Sequence, residues 1–496
     1  MGNNSEEGVK ILPYQAMEIA TENAPATNIS VDSMTVQCRA PKAYISPFYL
    51  WAVSVGGVIG GNFFGWNTAL EGGYGGALLA FFISFAFYTC FVAVVSELST
   101  RIPKAGGGYI FALESLGDCA GCFAGMAQAI KTISATASLV AAIADYITGV
   151  WGWDVNIWGP VIWALLLLGL LAVNIKGVQA SFKFQTAILL LAIVLLVVFY
   201  GGSMGALDFE KNAVPRGWFP GGAAGVLQGV PFMMWMFLGV EEVVQAVEEV
   251  KSPVKDIPLG AGVSVLTCAA FGFLTSTLSV ACAPGIITLT GSDSPLLDSY
   301  EAVFGGNALV ETLGVLVVAG LVCSLHTFVY YSGQVVYALA RDSFLPPVLA
   351  RLHSTWNTPY LSLVSSSGAS FLLAGLFQGI LGSKSAISVL VSIGLVSALI
   401  SYGFQLVAFM NMRWSEKDMG RTLFLSPLGQ GGAIIAITLL MFFTFCLLYL
   451  SFMQLEYLIG LVLVAVVFIA TGLYYFLVVA PKKKSEIMNH SLVQVN

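Results

Sequence analysis

The chain has 496 residues, 57% of them hydrophobic and 10% charged, with a formal net charge of −6 and a mean hydropathy of +0.85. Soluble domains carry about 25% charged residues, so the composition excludes a soluble globular protein and puts most of the chain in a bilayer. The acidic balance gives no footprint for nucleic acid, and most charges fall in connecting segments.

Residues 1–45 are polar and lack the apolar core of a signal peptide, so no cleaved leader is expected. The sequence then reads as twelve apolar spans, at about 47–70, 75–99, 121–147, 156–174, 183–202, 225–250, 258–283, 308–340, 360–381, 385–411, 431–452 and 456–479. Each has close to the roughly 20 residues that a hydrocarbon core requires. The first is crowded with Gly56, Gly57, Gly60, Gly61 and Gly65 around Asn62. Glycine in a helix interior costs about 1 kcal/mol relative to alanine, so this span is predicted to break. The third opens with Cys119 and Cys122, read as packing residues, and carries Lys131 about ten residues in. The sixth holds a second interruption, Trp235-Met236-Phe237-Leu238-Gly239-Val240-Glu241. The eighth, with His326, is longer than a bilayer needs and is expected to tilt or to end in a cytoplasmic turn. The eleventh and twelfth are continuous and read as a peripheral pair, followed by a polar tail at 481–496.

Basic residues set the orientation. With the N-terminus inside, seventeen of the 21 Lys and Arg fall on the cytoplasmic side, Lys211, Arg216 and Lys384 fall outside, and Lys131 lies within the membrane. Both termini are therefore expected in the cytoplasm. The Asn-x-Ser triplets at Asn3, Asn28 and Asn489 fall there too and are not expected to be glycosylated. The two interrupted spans each begin a set of five. An odd number of spans inverts the second copy, so the expected fold is an all-α membrane protein of twelve transmembrane helices, a five-plus-five inverted repeat (LeuT-like) with discontinuous helices 1 and 6.

A helix that stops in the membrane exposes N–H groups of positive and C=O groups of negative partial charge. Freed backbone groups are tolerated at that depth only around a protected cavity, and paired interruptions in two halves of a membrane protein point to a transporter's substrate site. Two facing breaks would hold a carboxylate on amides and an ammonium on carbonyls. The plainer reading, close helix crossing, remains open for the glycines. No nucleophile–base set or phosphate loop is visible, and the scattered Cys and three His make no metal site. Neither metal nor cofactor is expected.

These residues resemble the amino acid–polyamine–organocation superfamily of permeases, and within it the ethanolamine permease branch. The resemblance is carried by Ile59 to Asn67, by Trp235 to Glu241, and by Glu248 to Pro258. Glu97-Leu98 with Pro103 to Tyr109, and His326 with Ala338 to Asp342, add to it. It implies that Ile59, Gly60, Gly61 and Asn62 form the unwound stretch of span one, and that Leu238 and Gly239 carry the carbonyls of span six. It also implies that Trp235 closes over substrate and that Glu241 takes part in proton-dependent gating. Amino acid carriers resembling this chain have Gly-Ser-Gly at the first break and ethanolamine permeases Ser-Gly-Asp. Here it is Gly60-Gly61-Asn62, whose neutral amide fits a hydroxyl, an amine or a carboxylate.

An ionisable residue near mid-membrane costs roughly 3 kcal/mol on insertion scales, so Glu241 and Lys131 each need a reason. Glu241 is read as a coupling residue or a cap on the second half-helix. Lys131 is read as its partner, as a brake on cationic cargo or as a carboxylate holder. His326 either titrates with Lys131 or is structural. Glu242 is expected to point elsewhere, and Glu248 and Glu249 to bond loop residues such as Arg101 or Lys251.

The chain therefore reads as a secondary active transporter for a small amine-bearing solute, amino acid or ethanolamine-like. It is not read as an enzyme, and its expected partners are that solute, H+ and the bilayer, with no nucleic acid. Residues 46–480 would be the permease domain between tails 1–45 and 481–496, in the plasma membrane. Sodium coupling, exchange and a nutrient-sensor role stay open. A disulfide-linked heavy chain is not expected, because the loop Thr148 to Asn156 has no cysteine.

Overall fold

The computed structural model describes residues 45–305, 308–415 and 424–485. The triplet asparagines and the greater part of both tails lie outside them, as do Lys10, Arg39, Lys42, Lys417 and Arg421. Among the described residues the protein is helical, with one isolated bridge between Ile45 and Val250.

The long helices are α1 (Pro47–Ile59), α2 (Tyr74–Arg101), α3 (Asp118–Trp151), α4 (Val155–Ile175), α5 (Val178–Ser203), α6 (Gly222–Trp235), α7 (Pro253–Ala281), α8 (Ala308–Arg341), α9 (Tyr360–Leu381), α10 (Ser383–Ser415), α11 (Gly429–Met453) and α12 (Leu455–Tyr474). Ten helices among the described residues are long and apolar enough to cross a membrane, or eleven if the bent first pair is counted as one span. α8 is 34 residues long, about 51 Å at 1.5 Å per residue, and so overshoots a core of roughly 30 Å.

Both expected breaks are present. After α1 the chain tightens into a 3₁₀ turn, Gly60–Asn62, and restarts as Trp66–Gly72, bent by 48° from the first part. After α6 it turns at Gly239, where φ is +106°, and continues as a 3₁₀ stretch, Val240–Glu249. A left-handed φ of that kind strains any residue with a Cβ, so the glycine fixes where the second break falls.

Burial sorts the helices into core and rim. α10 buries 78% of its most apolar stretch and α3 67%, whereas α11 buries 33% and the segment Leu455–Ser485 17%. α3 packs most extensively on α10 and α8, and α1 lies against α7, α8 and α5. The last two helices are thus a lipid-facing flank, and the two breaks sit at the centre.

Candidate substrate site

The two breaks face each other. A Cβ at Gly61 would lie 3.2 Å from Met236 Cα and 3.4 Å from the Trp235 carbonyl oxygen. Around this contact is a small cavity lined by Gly57, Val58 and Gly61, by Leu139 of α3, by Trp235 and Leu238, and by Ser324 and Phe328 of α8. Its free volume is about 10 Å³, the room that one water needs. A solute therefore fits only if the breaks separate. None of these lining residues is charged, and their apolar atoms come from four helices. Trp235 also lines a second cavity of about 70 Å³, with Phe64, Thr68 and Tyr457, and so stands between the two spaces.

Ser324 secures the first break. Its hydroxyl accepts from the Gly60 amide at 2.8 Å and donates to the Gly56 carbonyl at 2.9 Å. Ile59 is buried beside it. The Asn62 amide donates to the Ile59 carbonyl at 3.3 Å. Its Oδ1 is buried and has no hydrogen-bond partner among the described residues, an acceptor whose desolvation nothing offsets.

The second break is secured by charge. Glu241 Oε2 accepts from the Gly239 amide at 3.0 Å, which is the cap role. Its Oε1 accepts from Lys131 at 2.8 Å and from the Tyr402 hydroxyl of α10 at 2.5 Å. The expected Lys131–Glu241 pair is therefore formed, with both side chains at most 2% exposed. Glu242 corrects the sequence reading: it too bonds Lys131, and it accepts from Gln128 at 2.9 Å and from Gln245. Adjacent residues of the 3₁₀ stretch beyond Gly239 diverge, but the long lysine and glutamate side chains bring both acids to one ammonium.

His326 belongs to another network. Its Nδ1 lies 2.7 Å from Gln185 Oε1 and its Nε2 3.3 Å from the Ser181 hydroxyl, both on α5. Gln185 also donates to Thr327 at 2.6 Å, and its amide packs on Gly56. The structure thus links His326 to the back of the first break and not to Lys131.

A polar band ties the ends expected to be cytoplasmic. Glu248 accepts from the Ala105 amide at 2.7 Å and lies 3.6 Å from Arg341, which donates to the Ala105 carbonyl at 2.9 Å. Arg341 also pairs with Asp342, which accepts from Tyr109. Burial, and then Asp342 beside it, push the Tyr109 phenol well up from its ordinary value. Arg101 bonds Glu97 instead of Glu248 or Glu249, because the two stand one turn apart on α2. Glu97 further accepts from Arg413 at 2.6 Å and from the Ser426 amide at 2.7 Å. Sequence reasoning missed Ser324, Gln128, Gln245 and Tyr402. Gln128, three residues before Lys131, and Gln245, three residues after Glu242, carried a signal as polar neighbours at helical spacing.

The family model for amino acid permeases matches residues 45–480. The chain belongs to that family. The permease is 28% identical to an uncharacterized transporter of Rhizobium meliloti over 75% of its length and 79% of the relative's. It is 26% identical to a methylthioribose transporter of Bacillus subtilis, over 64% of the permease and 71% of the relative. It is 23% identical to a branched-chain amino acid permease of the same bacterium, over 77% and 83%. These matches place the permease in the amino acid–polyamine–organocation superfamily, as a multi-pass membrane transporter and not an enzyme.

Proposed function

We propose that this permease carries a small amine-bearing solute, an amino acid or an ethanolamine-like molecule, across the plasma membrane by proton-coupled alternating access. Twelve spans would form the inverted five-plus-five arrangement, with residues 46–480 as one transport domain and tails 1–45 and 481–496 in the cytoplasm. The observation that carries the reading is the close apposition of the breaks, Gly61 against Met236. Amides and carbonyls of Ile59, Gly60, Gly61, Leu238 and Gly239, with the free acceptor of Asn62, would take the solute's ammonium and carboxylate. Trp235 would close over it. The uncharged, apolar lining favours a zwitterion with an apolar side chain over a bare organic cation, because dipoles at helix ends complement both charges without a fixed counter-ion. The relatives from Bacillus subtilis are named for methylthioribose and for branched-chain amino acids, both small solutes.

Coupling would run through the Lys131–Glu241 contact, since Glu241 touches both the second break and the only cation bonded to it among the described residues. His326 would act on the first break by way of Gln185. The test is purified protein in liposomes, offered labelled ethanolamine and a panel of amino acids with and without a pH gradient. Accumulation of at least one solute driven by an inward acid gradient is expected. Uptake of none, or uptake indifferent to the gradient, refutes the reading.

A further inference from the structure

Two carboxylates share one lysine in the interior. Lys131 bonds Glu241 and Glu242, all three side chains are at most 2% exposed, and no other cation among the described residues bonds either acid. The other titratable groups facing them are phenols: Tyr402 of α10, bonded to Glu241; Tyr88 of α2, 3.4 Å from the Tyr402 hydroxyl; and Tyr331 of α8, within electrostatic reach of both acids. With both acids ionised the cluster carries one uncompensated negative charge in a low dielectric, the costly arrangement for any buried ion.

The hydrogen bonds say which acid differs. Glu241 is met on both oxygens by donors, of which the Gly239 amide and the Lys131 ammonium cannot accept. Glu242 meets Lys131 on Oε1, but on Oε2 it meets only side-chain amides. Gln128 is held one way round, because its Oε1 accepts from the Tyr109 amide at 3.1 Å. Gln245 is not held: its Oε1 is buried and has no hydrogen-bond partner among the described residues. Turning the Gln245 amide over brings that oxygen against Glu242 Oε2, where it can accept only from a carboxylic O–H.

We propose that this cluster is a proton-binding site and that Glu242 is the group that carries the proton, with Glu241 the permanent anion. One proton taken from solvent onto Glu242 Oε2 brings the cluster from one negative charge to neutrality and gives the stranded Gln245 oxygen its partner. The same proton returns to solvent when water enters on opening. This rests on the coupling reading above for its consequence in transport, and it names the atom at which the coupled proton would sit.

Infrared difference spectra of the purified full-length protein, with and without acidification, test the site without any transport. A protonated buried carboxyl gives a C=O stretching band. One component of it is expected to vanish in Glu242→Gln, to move to higher frequency in Gln245→Leu, and to stay in place in Tyr402→Phe. A component that moves with Tyr402→Phe and ignores Gln245→Leu puts the proton on Glu241 and overturns the proposal, as does the lack of any component that responds. The Gln245 and Tyr402 variants keep the test decisive if Glu242→Gln does not fold. In liposomes with a trapped pH dye, Glu242→Gln should lose solute-driven proton entry. Failure of the wild type to move any solute would refute the permease reading and leave the infrared result standing.

Discussion

At Gly239 the backbone takes a φ of +106° and the Phe328 ring lies 3.0 Å from where a Cβ would stand. Alanine there meets backbone strain of about 1–2 kcal/mol and a side-chain clash. Gly239→Ala should lower the melting temperature in detergent and reduce uptake several-fold at equal surface expression. Unchanged melting and uptake would mean that the break tolerates a different path. Glu241 joins two jobs at one carboxylate, cap and charge partner. Glu241→Gln keeps an oxygen that can accept from the Gly239 amide but leaves Lys131 only Glu242. The expected outcome is near-normal thermal stability with lower uptake that responds less to a pH gradient, because the cluster is then neutral without a bound proton. A variant with wild-type pH dependence would remove Glu241 from the coupling step and leave it a cap.

At the scale of helices, each break is held by a neighbour far away in sequence. Ser324 stands 264 residues from Gly60, and its hydroxyl bonds both an N–H and a C=O at the end of α1. Ser324→Ala removes that bridge and should destabilise the fold by about 1 kcal/mol, since the Gly60 N–H keeps its bond to the Val58 carbonyl. Differential scanning fluorimetry measures it, and a loss under a few tenths of a kcal/mol would show that another donor replaces Ser324. The breaks themselves were legible in the sequence, because glycine so dense around Asn62 in an apolar run disfavours an unbroken helix more than close helix crossing alone would require. The Lys131–Glu241 pair was one of three readings that the sequence left open for Lys131, favoured by the cost of an unpaired charge deep in lipid. Ser324 and Tyr402 were not: a neutral hydroxyl on a remote helix makes no pattern until the fold brings it in. Glu242 misled for a related reason. Adjacent residues point about 100° apart on an α-helix and about 120° apart in this 3₁₀ stretch, so it is the reach of the long Lys131 and glutamate side chains that brings both acids to one ammonium.

For the whole molecule, the central cavity has room for about one water, and the band around Arg341 ties together parts that must separate if the solute is to leave on that side. Arg341 connects the end of α8 with the Ala105 loop and with Glu248 at the end of the sixth span, while Glu97 connects α2 with Arg413 of α10 and the Ser426 segment. Under the alternating access proposed above, such contacts would form and break in each cycle and so act on the balance between conformations more than on total stability. Arg341→Ala removes the link between α8 and the loop while leaving the Glu97 contacts whole. Hydrogen–deuterium exchange should then rise at residues 102–110 and 240–250, with no change along α11 and α12, which do not share the band. Net uptake should fall, because a carrier biased toward one face turns over slowly. Exchange that rises evenly over the molecule would mark general loosening instead, and exchange unchanged in both segments would show that the Arg341 contacts do not hold the closed arrangement.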